Sequence, residues 1–80
     1  MGKQLRNARH RALMAALKAT RQRAGMTQRD LAKRLSRSHS FIGKIESGER
    51  QLNVLEFCEL ADALGVDHKR LFAKVVKPGP

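Results

Sequence analysis

The residues of this chain best suited to chemistry cluster between positions 38 and 50. On a helical wheel at about 100° per residue, His39, Ser40, Gly43, Lys44 and Ser47 share one side of a single stretch. Phe41, Ile42 and Ile45 share the other. The first set is polar or small and contains no acid. It offers an imidazole, hydroxyls and one ammonium, with little bulk. Imidazole and ammonium N–H groups can donate to guanine N7 and O6, and serine hydroxyls can serve several base edges. The same pattern also describes an ordinary solvated helix face, so the decision falls to charge. The chain carries 17 Lys and Arg against 7 Asp and Glu, a net +10 with an isoelectric point near 11.2. Residues 1–37 hold eleven bases and one acid, whereas residues 38–80 hold six of each. A field this lopsided favours a polyanion, nucleic acid first and an anionic membrane second.

Other chemistries find little support. Eighty residues and 9.0 kDa allow one small domain with a thin core, which excludes most catalytic architectures. Cys58 is the single cysteine and cannot form an internal disulfide. It reads as a small core or interface residue in the reducing cytoplasm. His10, His39 and His68 lack metal-ligand spacing with Cys58, so no metal is expected. No Cys–His or Ser–His–Asp motif and no Gly-rich phosphate loop occurs, so neither an enzyme nor a cofactor is expected. There is no 18-residue apolar run, and the start MGKQLRNARHR lacks the apolar stretch of a secretory signal. The basic first helix has few large apolar residues and no Trp to hold it on a membrane.

The elements that must position the polar face are helical. Aromatic residues are three Phe only, the two prolines are at 78 and 80, and strand-type alternation is absent. Residues 1–7 read as a basic arm. A first helix spans about Ala8 to Ala24, with Leu13, Leu17 and Thr20 on one stripe, Ala16 and Ala24 beside it, and Gly25 as the stop. Thr27 caps a second helix reaching about Leu35. Asp30 stands at its third position, and Met26 and Leu31 form a hydrophobic staple across its start. Ser38 caps the third helix, which ends near Ser47 before Gly48. Asn53 and Glu56 form a capping-box pair for a fourth, Val54 to Leu64, closed by Gly65. Asp67 caps a fifth that runs to about Val75. Residues 8–76 therefore form one domain, with a flexible tail at 77–80. The joint Ser36-Arg37-Ser38 is the tightest, and two helices on such a turn match the helix-turn-helix unit.

From Leu17 to Leu64 the chain resembles the lambda-repressor-like, Cro/Xre-type helix-turn-helix DNA-binding regulators. The resemblance is carried by Leu17, Arg21, Gly25, Thr27-Gln28, Leu31-Ala32, Ser38, Ile42, Ile45-Glu46, Ser47-Gly48, Glu49-Arg50 and Leu60-Ala61 with Leu64. It implies an all-α, compact five-helix lambda-repressor-like domain whose helix-turn-helix is formed by helices 2 and 3. His39, Ser40 and Lys44 fall at the family's base-reading positions. Gln28, Ser38, Ser47 and Arg50 fall at its phosphate-contacting positions, and Arg37, Lys3 and Arg6 join them as nearby cations. Arg21 and Glu46 match a largely buried salt bridge that orients the recognition helix. Two residues depart from the pattern. Ser36 stands where glycine is usual, at a turn with positive φ, and Arg37 stands where an apolar residue is usual; its stem is expected to cover the core while its head reaches phosphate.

The resemblance also implies a palindromic double-stranded operator and a homodimer, since one module reads half a site. Leu55, Leu71, Phe72 and Val75 offer the apolar surface for a second copy, with Val76 beside them, and the neutral second half permits close approach. The function that follows is sequence-specific binding by a cytoplasmic regulator of transcription. The alternatives are an antitoxin-type module that neutralises a toxin or engages another regulatory protein, and a non-specific architectural nucleic-acid binder.

Overall fold

A computed structural model describes residues 8–77. The expected basic arm, with Lys3 and Arg6, and the last residues of the tail, 78–80, lie outside them. Five helices follow one another: α1 (Ala8–Arg23), α2 (Gln28–Arg34), α3 (His39–Ser47), α4 (Val54–Leu64) and α5 (His68–Val76). No strand occurs among the described residues. The two capping boxes form as the sequence requires. Thr27 accepts from the Asp30 N–H and Asp30 accepts from the Thr27 N–H, while Asn53 and Glu56 do the same at α4. Those bonds also hold the Asp30 carboxyl below its ordinary pKa, the backbone bond from Thr27 being the main cause.

α2 packs on α3, α1 crosses both α3 and α5, and α4 closes the bundle against α5 and α2. Leu17, Leu31, Ile42, Ile45, Leu60, Ala61 and Leu71 fill the centre, each 3% exposed or less. Leu13, Met26, Leu52 and Phe57 pack around them half-buried. α1 stops one residue earlier than expected, and Ala24 is exposed rather than beside the core stripe. The cause is the reversal at Gly25, where the Gly25 N–H donates to the Gln22 carbonyl and the Met26 N–H to that of Arg21.

The end of α2 repeats that pattern without glycine. The Ser36 N–H donates to the Lys33 carbonyl and the Arg37 N–H to that of Ala32. Ser36 adopts φ 56°, the one positive-φ residue other than glycine among those described. The left-handed turn is therefore kept despite a Cβ that costs roughly 1–2 kcal/mol there. Packing of α2 on α3 fixes the turn and overrides the local preference. Ser36→Gly should remove that strain, offset in part by a more flexible unfolded chain. The expected net gain is up to about 1 kcal/mol, read as a melting temperature several degrees higher. A lower melting temperature would show that the serine side chain itself stabilises the turn.

Candidate nucleic-acid interface

α3 turns its apolar side inward and its polar side out. Phe41, Ile42 and Ile45 are buried; His39, Ser40, Lys44 and Ser47 are exposed, and Gly43 is half-buried. Ser38 supplies the extended backbone of an N-cap, but its hydroxyl makes no cap bond and lies 3.2 Å from that of Ser40. The two hydroxyls thus stand together at the exposed start of the helix. Ser47 Oγ lies 3.1 Å from the Lys44 carbonyl and 3.3 Å from a Glu49 carboxylate oxygen. Its single proton serves one of these at a time. His39 shares a cleft of about 540 Å³ with Gln28 and Arg29 at the start of α2. Arg29, left out of the site residues read from sequence, lines the same cleft; its place beside Gln28 was the available signal.

One carboxylate ties α1 and α2 to α3. Arg21 Nε and one terminal nitrogen donate to the two Glu46 oxygens at 2.7 and 3.0 Å, and the other terminal nitrogen donates to the Met26 carbonyl at 2.8 Å. The two side chains are 9% and 5% exposed. The hydrogen bond to Glu46, reinforced by its charge, holds the Arg21 pKa above the usual guanidinium value against the opposing effect of burial. Gln28 Nε2 adds a third bond, 3.0 Å to Glu46 Oε1. Its amide oxygen leans over Gly43, where a Cβ would come within 3.3 Å. Glu46 thereby joins α1 and α2 to α3, and Arg21 extends the tie to the α1–α2 loop. The Gln28 amide, read from sequence as a phosphate contact, is already engaged on its nitrogen side.

A second carboxylate stands on the opposite flank. Both Glu56 oxygens accept from Arg50, each at 2.8 Å. Arg37 approaches the same carboxylate at 3.5 Å and Glu59 at 3.8 Å. Both guanidiniums also lie over the Phe41 ring, 4.6 Å away for Arg37 and 4.8 Å for Arg50. The Glu56 side chain is 9% exposed, against 39% for Arg37 and 37% for Arg50. Arg50, with help from the Asn53 N–H, pulls the Glu56 pKa down to about 2. Sequence reading gave Arg37 and Arg50 to phosphate. In the fold their heads turn to a carboxylate and an aromatic face, because Glu56 is desolvated beside them and needs partners. Glu56 itself was read only as a cap.

The chain has known relatives. A family described as the helix-turn-helix domain matches residues 1–71. An XRE-family-like protein from Pseudomonas syringae pv. tomato superposes with a TM-score of 0.84 at 40% identity, over 99% of this chain and 96% of that one. The chain belongs to the XRE family of helix-turn-helix domains. The clp gene regulator ClgR from Corynebacterium glutamicum has the same fold, with a TM-score of 0.77 at 25% identity over 85% of this chain and 88% of that one. An uncharacterized HTH-type transcriptional regulator of Sinorhizobium fredii, y4dJ, is 37% identical over 51 residues, 64% of this chain. The aligned stretch spans 66% of that relative, just under two thirds of its length.

The XRE domain also presents an apolar face away from α3. Val54 is 77% exposed, Leu55 74%, Phe72 54% and Val76 40%. Val54 is an addition to the surface read from sequence. Leu13, Leu52, Phe57, Cys58, Phe72 and Val75 line a groove of about 450 Å³ beside it, with Phe57 and Phe72 edge to face. Leu71 does not belong to this face. It is 2% exposed and sits in the domain core. On a short helix with apolar residues at adjacent positions, packing against α1 takes Leu71 and leaves Phe72 outside. Among the described residues no helix is long and apolar enough to cross a membrane, and no cluster of three His, Cys, Asp or Glu could hold a metal ion.

Proposed function

We propose that this XRE-family chain is a sequence-specific regulator of transcription that binds double-stranded DNA as a homodimer, with α3 in the major groove. The observation that carries the reading is the exposed side of α3. His39, Ser40 and Lys44 stand on it with no acid of α3 among them, Glu49 lying beyond the end of the helix beside Ser47, and the helix is pinned along its other flanks by Glu46 and Glu56. A rigid element bearing donors is what base readout requires. Ser38 and Ser47 flank that face and take phosphate oxygens through their hydroxyls, and Gln28 does so through the second N–H of the amide nitrogen that bonds Glu46. Leu55, Phe72 and Val75 meet a second copy; residues 38–80 have balanced charge, so two copies approach without repulsion.

Selection of bound fragments from a random duplex pool tests both parts. Wild type should return an inverted repeat whose half-sites lie about one helical turn apart, with G·C pairs among the preferred bases. His39→Ala and Lys44→Ala should each relax one or two positions and cost about 1–3 kcal/mol on the best site, with much less change on random DNA. If all three proteins return one motif with equal discrimination, α3 does not read bases through these residues. A single unrepeated motif removes the dimer.

A further inference from the structure

The two segments that bound the recognition helix are fastened to one point. Arg37 lies in the turn before α3 and Arg50 in the loop after it. Both guanidiniums rest on the ring of Phe41, a residue of α3 itself, and both reach the Glu56 carboxylate in the first turn of α4. We propose that Glu56 is a specificity-determining positioning residue: it holds Arg37 and Arg50 around Phe41, and so fixes the angle at which α3 is presented to DNA. The inference rests on the DNA-binding reading above and extends it to residues that touch no base.

The geometry distinguishes this role from phosphate contact. Arg50 spends two hydrogen bonds on Glu56 and a third on the Gln51 carbonyl at 2.9 Å. Its head is thereby fixed in place before any ligand arrives. The carboxylate is the most buried of the three charged groups, with the cations at its rim, as in an anchor rather than a docking surface. Arg37 is the residue that departs from the apolar pattern in the turn. Its head adds a second cation to the ring and the carboxylate, and so closes the N-terminal side of the clamp that Arg50 closes on the C-terminal side.

Glu56→Gln tests it. The substitution keeps the size of the side chain and leaves an amide oxygen to accept from the Asn53 N–H, but removes the charge that gathers the guanidiniums. Affinity for the selected site and for random duplex DNA is measured across a salt series, at a temperature where a melt shows the variant folded. With one negative charge gone, random-DNA binding should hold or tighten, and its salt slope should steepen by up to about one. Affinity for the selected site should fall, so that the specificity ratio drops by about tenfold or more. Partial unfolding alone lowers both affinities by the same factor and leaves the ratio unmoved. Equal changes in both, or no change in either, overturn the proposal.

Arg37→Met carries the same comparison should Glu56→Gln fail to fold, since it leaves the Arg50–Glu56 pair intact. A reduced ratio supports the clamp. An equal loss on both DNAs overturns it, and a salt slope flatter by about one with that loss marks Arg37 as a phosphate contact. If wild type shows no sequence preference at all, the DNA-recognition reading falls, and the clamp's role in specificity falls with it; a wild type that discriminates, beside variants that discriminate equally well, sinks the clamp alone.

Discussion

Arg21→Met and Glu46→Leu should each cost about 3–5 kcal/mol, because either change strands a buried charge. Glu46 would keep only Gln28 after the first change. After the second, Arg21 would keep only the Met26 carbonyl, and Gln28 would lose its acceptor. A domain of this size has a total stability of only about 5–10 kcal/mol, so either variant should lie near its unfolding midpoint at physiological temperature. The double variant should recover much of the loss. Its two apolar side chains need no partner in a site that is 9% and 5% exposed in the wild type. The recovery should be incomplete, since the Met26 carbonyl still loses its donor. Urea melts of the four proteins give the coupling energy directly. Single losses below about 0.5 kcal/mol would place the pair with ordinary surface ion pairs, and the tether between α1 and α3 would then be of no consequence.

That pair was legible in the sequence only in combination. A helical wheel puts Glu46 at the edge of the apolar side of α3, and the family resemblance supplies Arg21 as its partner. Neither alone gives the third bond from Gln28. The helix starts were more accessible, because a capping box is a local device: Thr27 with Asp30 and Asn53 with Glu56 lie three residues apart and need no tertiary context. Features set by packing were harder to read. Sequence shows that Arg37 and Arg50 are cations, but the direction of a long side chain depends on which carboxylate is desolvated nearby. Glu56 carried two roles on one side chain, and only the capping role has a sequence signature. Leu71 and Phe72 are adjacent apolar residues on a short helix, and only contact with α1 decides which is core. Ser36 shows the reverse case. A serine in place of glycine disfavours the turn locally, yet the left-handed geometry survives because α2 and α3 are packed on each other.

The two-carboxylate construction also makes acid stability a test of the second hub. Glu56 titrates at about 2 in the fold, against an ordinary value of 4.5. A carboxyl depressed by folding contributes stability that is fully present above its unfolded pKa and is lost as pH falls toward its folded one. For Glu56 that window runs from about pH 5 down to about pH 2. The two guanidiniums at the rim are more than a third exposed, so solvent screens part of the effect. The expected loss from this one group is on the order of 2 kcal/mol, a large share of the stability of so small a domain. Denaturant melts at pH 6, 4.5, 3.5 and 2.5 should show a fall that is smaller in Glu56→Gln by the share of this one group, the rest belonging to the other carboxylates, Asp30 among them. That variant starts less stable at pH 6 and changes less on acidification, so the gap between the two curves narrows steadily down to pH 2.5. Added salt should narrow the gap at pH 6, because the Arg37 and Arg50 side chains are open to ions. Parallel curves for wild type and Glu56→Gln would mean that the carboxylate keeps the same affinity for its proton folded and unfolded. Arg37 and Arg50 would then not be gathered by its charge, and the flank of α3 away from Glu46 would be held by the Phe41 ring alone.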